Sequence, residues 1–580
     1  METSYLRRPI PLGAIVLLTL VIYAPPLMMQ LPLTTSYDAN FHIFFASHYA
    51  QHWFNPWNEK WFAGFSQTTY PPLGHQWIAL LSYVFGLRMS FMLVQLAAVV
   101  LLPIGVYRFA RLWVSERASS YAALLSVFLG VMEFLVFSAG QLSTTLSLPL
   151  YLLAVPYFYD WCRSANWRAL LKGIFFTLTA ASVHHVTLIF GSPMLVLPVL
   201  WLVFLDRDKE SSSAAVLVRA AVFAVVTGVG VGLVLLPYWI AILKHPIEQM
   251  PIPHASRSNL LLNFTLATNY FIVPYGALIM ALPFIVWFGA AQRRLRPLLL
   301  GFWVAFIFGL GGTTPLPKWI LGRAFEILTF ERFTLLAAVL AMPIVGMLAE
   351  RAIDRFGNKA AVGFALAAIG TFCLPMAWLN LSPFHPNSGM NVDSVIAFLN
   401  RDGHDRYRYM TLGVGNALPK ISTYTEAPSI DGEYNSARLL PEMTQYGSAQ
   451  LTSAKYFGSA GMASLRAMLE HADHYGLKYI FVHDPYYRPL LAFAGWRQIE
   501  TYDSGSIEVW IKDDVPPART VESDAIPAPW EGWMWGTLPM ACSILSILLA
   551  LLLPDGLRTR ETALELPART QDGVLVQEAH

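Results

Sequence analysis

Asp38 and His42 stand four residues apart in YDANFHIFF, so a helix beginning there carries both on one face. His48 and His52 repeat the spacing, while Trp53, Phe54, Trp57, Trp61 and Phe62 supply an apolar side. The stretch from Tyr37 to His75 follows the first strongly apolar segment and is far longer than an ordinary connection. Its pattern predicts an amphipathic helix lying along a membrane surface, with its polar edge turned to water. A carboxylate held there beneath aromatic rings is placed to do chemistry on a lipid-linked substrate. The alternative is an interfacial loop whose Trp and His side chains rest at headgroup level.

Further ionisable residues fall in or beside the apolar segments. Glu133 lies inside one, with Gln141, Ser143 and Thr144 just beyond it, and His184 and His185 lie towards the end of another. A loop over 241–270 carries Lys244, His245, Glu248, His254 and Arg257. The run GGTTPLPKWILGRAFEILTFERFT carries Lys318, Arg323, Glu326, Glu331 and Arg332. An ionisable group within a span is costly and usually faces a cavity or a partner, so Glu133 is either a site residue or a protonated packing residue. Neighbouring helical residues point about 100° apart, so at most one of His184 and His185 faces a site. Glu331 and Arg332 read as site residues or as an interfacial ion pair. One loop carboxylate with several cations suits a phosphorylated lipid, because guanidinium binds phosphate through two parallel hydrogen bonds. There is no Walker A, no GxGxxG after a strand, no HExxH, no CxxC pair and no GxSxG elbow.

These residues need elements to hold them, and composition names the medium. Of 580 residues 55% are hydrophobic and 13% charged, with a mean hydropathy of +0.48. Soluble chains carry about 25% charge, so this is an integral membrane protein. A net charge of +2 without a basic helix face gives nucleic acid no footing. Cys162, Cys373 and Cys542 are far apart and indicate neither a disulfide framework nor a cysteine metal site.

Twelve windows can cross about 30 Å of hydrocarbon. They fall near 10–30, 90–107, 119–137, 142–159, 170–190, 191–205, 214–240, 271–290, 297–312, 333–349, 361–381 and 533–553. The first reads as an uncleaved span, and 76–85 is too short to cross and is expected to lie flat outside. With the N-terminus inside, the inner loops hold nineteen Lys and Arg against seven in the outer segments. That bias puts both termini in the cytoplasm, with a first outer loop at 31–89. A transmembrane module then covers 1–382, a last helix 531–555, and a disordered cytoplasmic tail 556–580. Between 383 and 530, NVDSVIAFLNR and MASLRAMLEH have helical spacing, and YRYMTLGVG, KYIFVHD and SIEVWIK have strand composition. The expected fold class is a polytopic α-helical membrane protein of about twelve transmembrane helices with a small extracytoplasmic α/β domain.

An acidic residue soon after the first span, aromatic surface helices and YPPLGH before a short amphipathic helix resemble the GT-C glycosyltransferase superfamily. Protein O-mannosyltransferases, lipid A aminoarabinose transferases and the catalytic subunit of oligosaccharyltransferase share this layout. Asp38 matches their first-loop acidic residue, and SAGQLSTTLS looks like the second outer loop of the oligosaccharyltransferase type. Gln141, Ser143 and Thr144 replace the acidic pair that helps hold metal there, so no metal or other cofactor is expected. GGTTPLP, ERF and the outer domain are most similar to prokaryotic membrane proteins labelled "6-pyruvoyl-tetrahydropterin synthase-related domain", although no His₃ zinc site for pterin chemistry is visible.

The resemblance implies sugar transfer from a polyprenyl-phosphate sugar to a glycan, lipid or protein acceptor at the outer face of the plasma (inner) membrane, in the cell envelope. Asp38, with His42, would act as base on an acceptor hydroxyl or orient it. Arg332, Arg323 and Lys318 would stabilise the leaving phosphate. Glu133, His75, His185, Arg257 and Glu331 would support them. The alternatives are a transporter or lipid flippase, marked by inverted repeats and mid-membrane charges, and a non-catalytic scaffold.

Overall fold

Long apolar runs in a medium without water must satisfy their own backbone, and a single segment does so as a helix. In the computed structural model, which describes residues 8–207, 212–246, 254–434, 438–444 and 450–553, each of the twelve apolar windows contains helix. The N-terminal part runs α1 (Leu12–Met28), α2 (Ala39–Gln51), α3 (Leu73–Ala110), α4 (Glu116–Ala139), α5 (Leu142–Ser164) and α6 (Trp167–Asp206). By length and apolarity among the described residues, seven helices qualify as spans. They become eight when Phe264–Tyr275 and Leu278–Ala291, bent by 62°, count as one. The expectation was twelve. Part of the difference is that Leu12–Met28 and Arg296–Gly309 are shorter apolar helices, and part is α6.

At 40 residues α6 would be about 60 Å long if straight, twice the hydrocarbon thickness. It breaks at His184 (φ −162°, ψ 96°), and the Ser147 hydroxyl donates to the Ala180 carbonyl beside the break at 2.9 Å. Tyr159, near the end of α5, donates to Asp206 at 2.7 Å, while Trp167 starts α6 just after α5 ends. Both ends of α6 therefore lie at one end of α5. It is a hairpin that holds two of the expected windows. Gly86, at φ +72°, likewise breaks α3 between the flat segment and the span, and Leu80, Tyr83, Val84 and Phe85 before it are exposed.

The segment after the long helices carries the expected helices as Asp393–Leu399 and Gly458–Glu470. A hairpin of β1 (Trp57–Asn58) and β2 (Phe65–Ser66) belongs to the first loop. The domain sheet contains β3 (Arg408–Leu412), β4 (Leu477–Val482), β5 (Arg497–Tyr502) and β6 (Ile507–Ile511), ordered β3-β4-β6-β5. β3 and β4 are parallel, and the other pairs antiparallel. β5 was not expected: no residue of RQIETY is buried on this edge strand, so it lacks the apolar alternation that marks a half-buried one.

The loop at 31–89 corrects the surface-helix expectation. Every residue of α2 from Ala39 to Tyr49 is buried. Trp61 stacks on Phe44 with ring centroids 4.0 Å apart, and its indole donates to Ser422 Oγ at 2.8 Å. Phe41, Phe45, Phe62 and Phe65 share a core with Met410, Leu412, Ile430 and Leu465 of the α/β domain. Rings that read as headgroup anchors are instead covered by a domain more than three hundred residues away in sequence, which local periodicity cannot register. Lys209, Glu248, Arg558, Arg560 and the tail at 556–580 lie outside the described residues.

Candidate active site at the first outer loop

The backbone that carries Asp38 is bolted to the end of α4. The last turn of that helix, Leu135–Ala139, widens into a π-turn and stops at Gly140, whose φ is +75°. The Ser138 and Ala139 carbonyls then accept the Tyr37 and Asp38 amides, each at 3.1 Å. A Cβ on residue 140 would lie 2.7 Å from Ser36 Oγ and 2.9 Å from the Ala39 nitrogen, so the close approach requires glycine. Asp38 occupies the N-cap position of α2 yet makes no capping hydrogen bond. Its carboxylate is left for other work.

Glu331 and Arg332 open the long helix α7 (Glu331–Phe356) close to Asp38. Burial and the Glu331 charge push the Asp38 carboxyl up to about 7 against the pull of Arg332. Arg332 donates to Thr329 Oγ1 at 2.8 Å, while its Nε–H is buried without a protein partner. Glu331 receives the Gln141 amide on one oxygen, and its other oxygen is unpartnered. A third carboxyl group enters from the α/β domain. Glu433 is half-buried, and the Asn416 amide bridges its Oε2 (3.5 Å) and the Tyr37 carbonyl (3.4 Å). Burial, then Asp38, then Asp431 hold the Glu433 carboxyl well above its ordinary range. Asp431, fully buried and accepting the Thr452 amide at 2.8 Å, is pushed by burial to about 6. A carboxyl raised to about 7, a second held well above its ordinary range, the Glu331 carboxylate and one guanidinium thus meet at the junction of loop, span and domain.

No family model matches the sequence, and no curated protein is similar to it. Solved structures are. The arabinofuranosyltransferase AftD from Mycobacteria superposes with a TM-score of 0.53 at 14% identity, covering 89% of this chain and 40% of AftD. ArnT from Cupriavidus metallidurans, in its complex with undecaprenyl phosphate, gives 0.54 at 10% identity, over 87% of this chain and 99% of ArnT. The oligosaccharyltransferase of Archaeoglobus fulgidus gives 0.51 at 14%, over 87% of this chain and 74% of the enzyme. The chain shares the fold of these three transferases. Of the AftD chain, this one spans less than half.

On this frame the other expected site residues fall into two groups. His42 and His75 meet through Nδ1 and Nε2 at 2.9 Å, and burial drives the His42 imidazole down to about 3, leaving it neutral beside Asp38. Tyr70 joins them, its hydroxyl bonded to Ser143 Oγ at 2.8 Å. His184 and His185 lie within reach of the Arg332 charge. Arg257 donates to the Leu328 carbonyl at 2.9 Å, near Glu331. The second group stands apart. Lys318 is exposed and paired with Glu326 at 3.3 Å, and Arg323 is exposed, so Arg332 is the expected phosphate ligand whose charge acts on Asp38. Glu133 faces a separate cavity of about 100 Å³ with Thr34, Ser138 and His385, both carboxylate oxygens unpartnered.

Among the described residues, no group of three or more His, Cys, Asp or Glu side chains is arranged to hold a metal ion. Gln141 and Ser143 are engaged by Glu331 and Tyr70. Sequence reading missed Glu433 and Asp431. The available signal was the carboxylate pair two residues apart around a glycine in IDGEY.

Proposed function

We propose that this protein is a membrane glycosyltransferase that moves a sugar from a polyprenyl-phosphate donor to an acceptor hydroxyl at the outer face of the membrane. The observation that carries the reading is Asp38, raised to about 7, beside a guanidinium with an unmet N–H on a GT-C frame. In the reaction the acceptor oxygen bonds to the anomeric carbon as that carbon's bond to the phosphate oxygen breaks. The phosphate leaves with the electron pair, and the acceptor proton passes to Asp38. A base whose pKa lies near the working pH is efficient in that transfer. Phosphate is a good leaving group, and Arg332 meets the charge it gains. Glu433 keeps its proton and donates a hydrogen bond to the acceptor, while His42 and His75 hold the floor of the site as neutral groups.

No step of this reading uses a divalent ion. It further assigns twelve membrane crossings, counting the two arms of α6 separately, with both termini cytoplasmic, residues 383–530 outside, and the inner membrane as location. Charges gathered at the outer helix ends, rather than at mid-membrane, speak for transfer over transport. The deciding experiment is mass spectrometry of lipids that co-purify with the protein. A polyprenyl phosphate or its sugar ester is expected with wild type and is depleted in Arg332→Ala. Its absence from both would remove the donor assignment.

A further inference from the structure

The C-terminal end of α2, about 20 Å along the helix from Asp38, faces a polar cleft of about 480 Å³ between the first outer loop and the α/β domain. Three residues that line it each hold a fully buried nitrogen donor with no partner among the described residues: Trp57 Nε1, Asn58 Nδ2 and Arg408 Nε. These residues are 8%, 2% and 2% exposed. A buried donor without an acceptor costs about 1–3 kcal/mol, and acceptor oxygens from a ligand that shifts this wall on binding would relieve that cost. Around the cleft stand the exposed side chains Gln51, His52, Asp405, Arg406 and Arg519, which make no hydrogen bond or ion pair with the described residues. Of the remaining charges, Lys60 is spent on Glu426 at 3.1 Å, and Glu59 accepts from Thr520.

Carboxylates and cations therefore share the rim. A phosphate entering it would meet Asp405 and Glu59 as well as the arginines. A sugar hydroxyl both donates and accepts, so it can serve each kind of group at once. We propose that this cleft binds a neutral oligosaccharide and, resting on the transferase reading above, that it holds the non-reacting end of a glycan acceptor.

The test uses the full chain in detergent and an array of neutral oligosaccharides, with charged sugars and phosphorylated sugars printed beside them. Wild type and Asp38→Asn should retain the same neutral glycans. The double variant Arg406→Ala/Arg519→Ala and the single variant Asp405→Ala should weaken retention at least tenfold at unchanged melting temperature, because all three residues are exposed. Retention of no neutral oligosaccharide, of anionic sugars alone, or of the same glycans by the cleft variants would overturn the assignment. Glycan retention by a protein that transfers no sugar would uphold the cleft while removing the transferase reading.

Discussion

Replacing Asp38 by Asn removes a proton acceptor and also relieves a strained charge, and the two consequences have opposite signs. Folding draws this carboxylate out of water and sets it near Glu331, which moves its pKa from 3.8 to about 7. Between those values the unfolded chain has lost the proton that the folded chain keeps. Stability therefore falls as pH rises through that window and stays low above it. At 1.36 kcal/mol per unit, the whole shift corresponds to about 4 kcal/mol as an upper bound. Asn carries no charge and escapes this penalty. In detergent, Asp38→Asn should melt above wild type at pH 8, with the two curves converging as pH is lowered towards 3.8. Turnover moves the other way, by about 10²–10⁴-fold, because Asn cannot take the acceptor proton. The assay is release of free polyprenyl phosphate from its sugar ester by equal amounts of folded protein. Donor affinity should be unchanged, and wild-type turnover should rise with pH through about 7 before levelling. Normal turnover in Asp38→Asn, or a variant less stable than wild type at pH 8, would make the carboxylate structural and refute the reasoning.

Arg332→Ala should weaken donor binding and slow transfer together, and Arg332→Lys should recover part of both, since a single ammonium cannot make the two-pronged phosphate contact; donor titration of the two variants measures this. Gly140→Ala should cost about 1–3 kcal/mol of stability and most of the activity, because it forces a Cβ into a positive-φ position against Ser36 and the α2 backbone; thermal melts with turnover will report it. EDTA should leave transfer intact, and complete loss restored by Mn²⁺ would contradict the donor set described at Asp38. Cysteines placed at Asp402 and Lys359, with Cys162, Cys373 and Cys542 replaced, should label from opposite sides of intact cells.

What the chain could declare by itself was whatever rests on local periodicity and local charge. Each of the twelve apolar windows contains helix because a long apolar run away from water must bond its own backbone, whatever its neighbours do. Asp38 and Arg332 were legible for a similar reason, as ionisable groups set beside apolar runs. The three β-branched and aromatic runs at 408–412, 477–482 and 507–511 were legible as strands because their composition suits strands buried on both faces. Only the tertiary structure decided what covers α2. Phe44 and Trp61 have the same composition whether they meet lipid headgroups or Ile430 and Leu465, and the choice rests on a domain that folds back from the far end of the sequence. The same return brings Glu433 to Asp38 across nearly four hundred residues, through Asn416 and the Tyr37 carbonyl. Tertiary structure also left Lys318 exposed on Glu326 while the Arg332 charge acts on Asp38. Periodicity reports which face of an element seeks burial; the partner that buries it, and hence the pKa of a carboxylate at its end, is a property of contacts between distant segments.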